Sequence, residues 1–189
     1  MGRASRVLCS AVCLLVFVDR AAFAQTGAPQ HSAADRAEVD CGRPPDGRPV
    51  NYWNARFGLS MTYPPSFVLD PNSIPETGDS AQFWTLDRQA TAIVTGLHNG
   101  LGQSLSDLFE EAKRDVTANS GGVITYTRIK DDWFVLSGFM AGRIFYRRTV
   151  LAQEATLIGN LWIEFPSTMR PCFDDAVTMM SLSFRHTDQ

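Results

Sequence analysis

Three short stretches in the middle of the chain limit its fold more than anything else in it. Residues 133–136 (WFVL), 144–146 (IFY) and 161–163 (LWI) are apolar at consecutive positions. Neighbouring side chains of a strand point to opposite faces, so a sheet with one wet face alternates apolar and polar residues. These stretches do not alternate. Strands made from them must be covered on both sides, and the chain has to supply two covering layers.

Two helices are available. Leu105, Leu108, Phe109, Ala112 and Val116 form one stripe at helical spacing in residues 104–120. Ser104 is placed to cap that helix with Asp107 three residues on, and Gly121 suits the position just past its end. Met169, Cys172, Phe173, Ala176, Val177 and Met180 give a second helical stripe, with Pro171 in its first turn.

Strand patterns fill the rest. Phe57, Leu59, Met61 and Tyr63 alternate with small or polar residues until Pro64-Pro65. Residues 81–86 and 90–97 read as strands around an Asp87-Arg88 turn. Residues 123–130, 133–138, 143–152 and 155–165 read as an antiparallel run, with 139–142 as the turn inside its central hairpin. Leu182 and Phe184 alternate with serines as a short last strand. The expectation is an α+β domain, a single antiparallel β-sheet flanked by two helices.

The N-terminus reads as an export signal. Arg3 and Arg6 precede an apolar run over residues 7–18, and Ala22-Phe23-Ala24 is a small-x-small cleavage site. The expected organisation is a signal peptide at 1–24, a flexible Pro/Gly/Ala-rich leader at 25–50 and one domain at 51–187. The expected location is periplasmic or secreted, with no stable membrane span after cleavage. Cleavage takes three arginines and one aspartate, so the net charge of −3 becomes −5. An acidic exported chain has no bulk attraction for nucleic acid. Cys9 and Cys13 leave with the signal. Cys41 and Cys172 remain, and an even count in an oxidising compartment predicts that they pair.

Catalytic chemistry is thinly represented. His98 is the only histidine in the body of the domain, His186 lying at its end, and no cluster has the spacing of a metal site. Gly100 and Gly102 precede the first helix, but its opening acids, Asp107, Glu110 and Glu111, disfavour a phosphate. Ser104 is better used as a cap than as a nucleophile. No catalytic, cofactor or metal site is expected. Arg128, Lys130, Arg147 and Arg148 lie on or beside aromatic strands and are the candidate ligand-binding residues. Cross-strand pairs with Asp131 and Asp132 are the structural use of Arg147 and Arg148, taken to lie at a strand end.

Residues 54–64 spell N-x-R-F-G-x-x-x-x-Y-P. A loop, strands, a helix and WFVLSG…GRIFYRR follow, and the pattern closes with Ser183-Phe184-Arg185. This resembles small exported bacterial proteins of unknown function with a PsbP-like fold. That superfamily includes the photosystem II extrinsic subunit and a Ran-binding nuclear import factor. The resemblance spans residues 52–185 and implies a PsbP-like αβα sandwich. It also implies a non-enzymatic binding or accessory protein whose partner is another envelope or periplasmic protein. The alternative is a small anionic-ligand carrier using Arg147 and Arg148. A hydrolase built on His98 with Ser104 or Ser106 ranks below both.

Overall fold

The computed structural model describes residues 40–41 and 46–187. The 1–24 signal peptide and most of the 25–50 leader lie outside the described residues. The order is β1 (Val50–Asn54), β2 (Leu59–Tyr63), β3 (Phe67–Asp70), β4 (Ser80–Thr85), β5 (Thr91–His98), α1 (Leu105–Arg114), β6 (Val123–Lys130), β7 (Trp133–Met140), β8 (Arg143–Ala152), β9 (Leu157–Pro166), α2 (Arg170–Ser183) and β10 (Arg185–His186). A π-helical turn, Asp115–Asn119, extends α1.

Seven strands form one antiparallel sheet in the order β3-β4-β5-β9-β8-β7-β6. The consecutive apolar residues are covered on both sides, as the sequence requires. On one face Phe134, Leu136, Phe145 and Ile158 pack under Leu108, Ala112 and Val116 of the first helical segment. On the other, Phe83, Leu161, Ile163 and Phe165 pack under Phe173, Ala176 and Met180 of α2.

A single sheet flanked by two helices is not the whole architecture. A second sheet, β1-β2-β10, packs beside α2 and brings Leu59, Met61 and Tyr63 into the same core. The cause is a close approach. Gly96 of β5 pairs with Gly159 of β9. A Cβ at Gly96 would lie 2.5 Å from the Phe57 ring, and one at Gly159 would lie 2.5 Å from Leu59 Cδ2. Two glycines side by side leave a shallow notch, and the β1–β2 hairpin seats Phe57 of its turn and Leu59 of β2 in it.

Two strands escaped the sequence pattern. β1 offers only Tyr52 and Asn54 to the interior, so no apolar alternation marks it. β3 follows Pro64-Pro65, which turn the chain instead of ending order; the Phe67 N–H donates to the Pro64 carbonyl at 3.0 Å. Leu182 is not on a strand. It is an exposed residue of α2, which runs to Ser183, where the Thr62 N–H of β2 donates to Ser183 Oγ at 2.9 Å. The last strand is Arg185–His186.

The central hairpin turn also differs. Strand β7 continues through Phe139 and Met140, and Met140 pairs with Arg143. Ala141 and Gly142 alone make the turn, with φ of 48° and 78°. Positive φ at both central residues is the turn whose twist matches a hairpin. Its first position holds an alanine, and a glycine at the second accepts the left-handed conformation without a Cβ penalty.

The α1 cap forms as expected. Ser104 Oγ accepts from the Asp107 N–H (3.2 Å), and the Asp107 carboxylate accepts from the Ser104 N–H (2.9 Å). In the β4–β5 connection, Asp87 Oδ1 accepts from Thr85 Oγ1 (2.6 Å) and from the Gln89 N–H (3.0 Å). The Thr85 hydroxyl, then the Gln89 amide, hold the Asp87 carboxyl below its ordinary range. A carboxyl depressed in the folded state stabilises fully above its unfolded pKa of about 3.9, and that contribution disappears as pH falls through the folded value. Melting temperatures of the parent chain and Asp87→Asn are therefore expected to differ at neutral pH and to converge below about pH 4. Curves that stay parallel into strong acid would show that these bonds do not act through the charge.

Candidate functional site

The four candidate cations divide between the two faces. In strand register, Arg128 of β6 and Arg148 of β8 both oppose Val135 of β7, while Arg147 opposes Leu136. Adjacent strand residues point opposite ways. Arg128, Lys130 and Arg148 thus share the face that carries α2, and Arg147 points to the α1 face. A single ligand gripped by Arg147 and Arg148 together is ruled out by this alternation. Both arginines sit in mid-strand, not at a strand end. The ion pair that Asp131 makes is with Lys130, at 3.5 Å.

Arg147 is a half-buried structural group. Its Nε donates to Thr149 Oγ1 (3.2 Å), an Nη donates to Asn160 Oδ1 (3.3 Å), and its guanidinium lies 5.9 Å from the Phe134 ring centroid. Burial pulls its pKa below the ordinary arginine value, opposed by the charges of Asp115 and Glu111 beside α1.

The other face is built differently. Trp133 of β7 is flanked by arginines from the strands on either side. The Arg148 guanidinium lies 4.4 Å and that of Arg128 5.5 Å from the indole. Cation–π attraction orients both groups. Among the described residues, neither guanidinium makes a hydrogen bond or has a carboxylate within 4 Å, and Arg148 Nε is buried without a partner. Desolvation lowers the Arg148 pKa, with Tyr146 and Asp132 opposing.

Two hollows adjoin this stack. A groove of about 480 Å³ separates α2 from β6–β8. Tyr126, Phe139, Ile144 and Tyr146 form its sheet side, and Arg170 and Val177 its helix side. Tyr146 fixes the groove's depth through a 2.5 Å hydrogen bond between its hydroxyl and Ser181 Oγ. A wider cleft of about 1150 Å³ opens at the other end, lined by Trp133, Arg148, Arg185, His186 and the β8–β9 loop.

That loop is strained. Gln153, Glu154 and Ala155 have φ of 48°, 54° and 68°, three successive left-handed residues without a glycine. Each costs of order 1 kcal/mol, and such strain persists only where the surroundings enforce it. Asn99 does the enforcing. Its Nδ2 donates to the Ala155 and Gln103 carbonyls (2.8 Å each), its Oδ1 accepts from the Gln103 N–H (2.9 Å), and its own N–H donates to the Thr156 carbonyl (2.8 Å). Asn99→Ala strips three bonds from a buried site and is expected to cost roughly 2–3 kcal/mol, measurable as a lower denaturation midpoint. A loss under about 0.5 kcal/mol would mean that the loop holds its shape unaided.

The remaining candidates have structural occupations. His98 lies against Phe57, ring centroids 5.4 Å apart. Ser104 Oγ also donates to Asp107 Oδ2 at 2.7 Å. Cys41 and Cys172 form a disulfide. Among the described residues, no group of three or more His, Cys, Asp or Glu side chains is arranged to hold a metal, and no helix is long and apolar enough to cross a membrane. Trp133 and Tyr146, expected from the sequence to be core, do pack against it while bordering the cleft and the groove, and Tyr126 is exposed. The signal for their role is period two: Tyr126, Arg128 and Lys130 alternate on an exposed strand, so all three share one face.

No protein-family model and no curated protein sequence matches the chain. Solved structures do. The cyanobacterial PsbP (CyanoP) from Synechocystis superposes with a TM-score of 0.58 at 13% identity, covering 78% of this chain and 97% of that one. The Saccharomyces cerevisiae Ran-binding protein Mog1p superposes with a TM-score of 0.57 at 9% identity, covering 75% and 96%. Such low identities speak to architecture alone, and the chain has a PsbP-like fold.

Proposed function

We propose that the protein is a non-enzymatic binding or accessory protein that works outside the cytoplasm and meets another protein on the sheet face beside α2. The observation that carries this reading is the Arg128–Trp133–Arg148 stack, set between a groove and an open cleft. Aromatic and arginine side chains are the residue types on which protein contacts concentrate their energy. Half of the cleft's lining residues are exposed, which suits a macromolecular surface better than an enclosed small-molecule pocket. The Cys41–Cys172 disulfide supports an oxidising compartment. The fold is shared with a protein named for binding Ran, which supports the use of this scaffold for protein contact.

A photo-crosslinking side chain at Phe139, on the groove, tests the reading in cells that make the protein. Discrete adducts are expected there and not from the same group at Leu101, in the β5–α1 loop. Adducts absent at both positions, or identical at both, would overturn it.

A further inference from the structure

We infer that this face takes an extended partner segment carrying an apolar side chain and, two residues later, a carboxylate. The inference rests on the binding reading above and specifies the chemistry of its partner. Three observations converge on it.

The first is charge. Arg128 and Arg148 have no carboxylate within 4 Å among the described residues: Asp131 pairs with Lys130, Asp174 pairs with Arg170 at 3.4 Å, and Asp132 acts on Arg148 only as a longer-range charge. A guanidinium held rigid over an indole, with N–H groups unspent, is preorganised for a carboxylate, whose oxygens match its planar fork. The second is the groove. Its ring and aliphatic walls, Tyr126, Phe139, Ile144 and Val177, accept an apolar group, and its volume fits one large side chain with room to spare. The third is spacing. Tyr146 borders the groove and Arg148 the stack, two residues apart on the same face of β8. Two residues of strand advance about 7 Å, the distance between alternate side chains of an extended peptide lying alongside.

The probe is a fluorophore-labelled peptide, Gly-Ser-Phe-Ser-Glu-Gly, amidated at its C-terminus and titrated by fluorescence polarisation into the disulfide-bonded protein. A Kd below about 1 mM is expected, rising severalfold between about 50 and 300 mM salt because an exposed ion pair is screened. Arg148→Gln is expected to weaken binding about tenfold, the worth of a charge-assisted bond. Arg88→Gln is expected to leave binding unchanged, since Arg88 lies over Trp84 on the opposite face.

The peptide supplies a control that no folding defect can mimic. Glu→Gln in the probe is expected to reproduce the Arg148→Gln loss with the unmodified protein. Moving Glu next to Phe is expected to weaken binding as well, because the two side chains then point opposite ways. Undetectable binding at low salt, or equal affinity for the Glu, Gln and adjacent-Glu probes, would overturn the inference. If Phe139 crosslinks persist in that case, the face still binds a protein and only the stated chemistry fails. If the crosslinks are also absent, the binding reading itself falls.

Discussion

Cys172→Ser lowers the melting temperature by roughly 6–20 °C, the largest effect expected of any single substitution outside the sheet core. The bond joins residues 131 apart. Closing a loop of that length restricts the unfolded chain by about 3–5 kcal/mol. One kcal/mol moves the midpoint of a domain this size by about 2–4 °C. The bond also fixes residue 41 to the first turn of α2, upstream of strand β1. Reductant is expected to have the same effect on the parent chain and none on the variant. A parent chain that melts within about 3 °C with and without reductant would remove the bond from the list of stabilising features.

Gly159→Val comes next. Its first added carbon would sit 2.5 Å from Leu59 Cδ2 and 2.9 Å from Val150 Cγ2, closer than real side chains approach. Leu59 is fully buried and has nowhere to retreat. Overpacking a tight core costs roughly 1–3 kcal/mol, and a branched residue at this contact belongs at the upper end. The expected fall in melting temperature is about 6–12 °C. Gly100→Ala is the control: nothing lies within 4 Å of a Cβ there, so a change within about 0.5 kcal/mol is expected. Equal effects at the two positions would mean that the small sheet is not seated on the glycine notch.

Local pattern carried the main sheet. Strands β6 and β8 run over residues 123–130 and 143–152, the bounds expected from the sequence, and α1 starts at its serine cap. The doubly apolar stretches announced two covered faces, and two covered faces exist. Long-range pairing was not legible. The small sheet joins residues 50–54 and 185–186 to the same strand, β2, and no window of sequence contains both. Gly96 and Gly159 read as two unremarkable glycines until the register sets them side by side. The hairpin turn hid for a local reason, since Ala141 gives no hint that it will adopt positive φ.

The site shows the same division. Arg147 and Arg148 are one feature in the sequence and two in space, because a strand separates neighbours by the thickness of the sheet. Arg128 and Arg148 are twenty residues apart, yet the β6–β7–β8 register sets them on either side of one indole. Periodicity along β6 put Arg128 and Lys130 on a common face, but only strand pairing could select Arg148 over Arg147 as their companion.

The meeting of β1 and β10 on β2 also sets an order in time. A polypeptide that emerges N-terminus first can close its β1–β2 hairpin at once, since the partners are a few residues apart. It cannot seat that hairpin until β9 provides Gly159, and it cannot complete the small sheet until β10 follows α2. Contacts of such long range make for slow folding. Cys41 must therefore wait as a thiol while more than a hundred residues arrive behind it. During that interval the hairpin's apolar side, Leu59, Met61 and Tyr63, has no core to enter. The early chain is the vulnerable one, and its exposure ends only when α2 and β10 arrive.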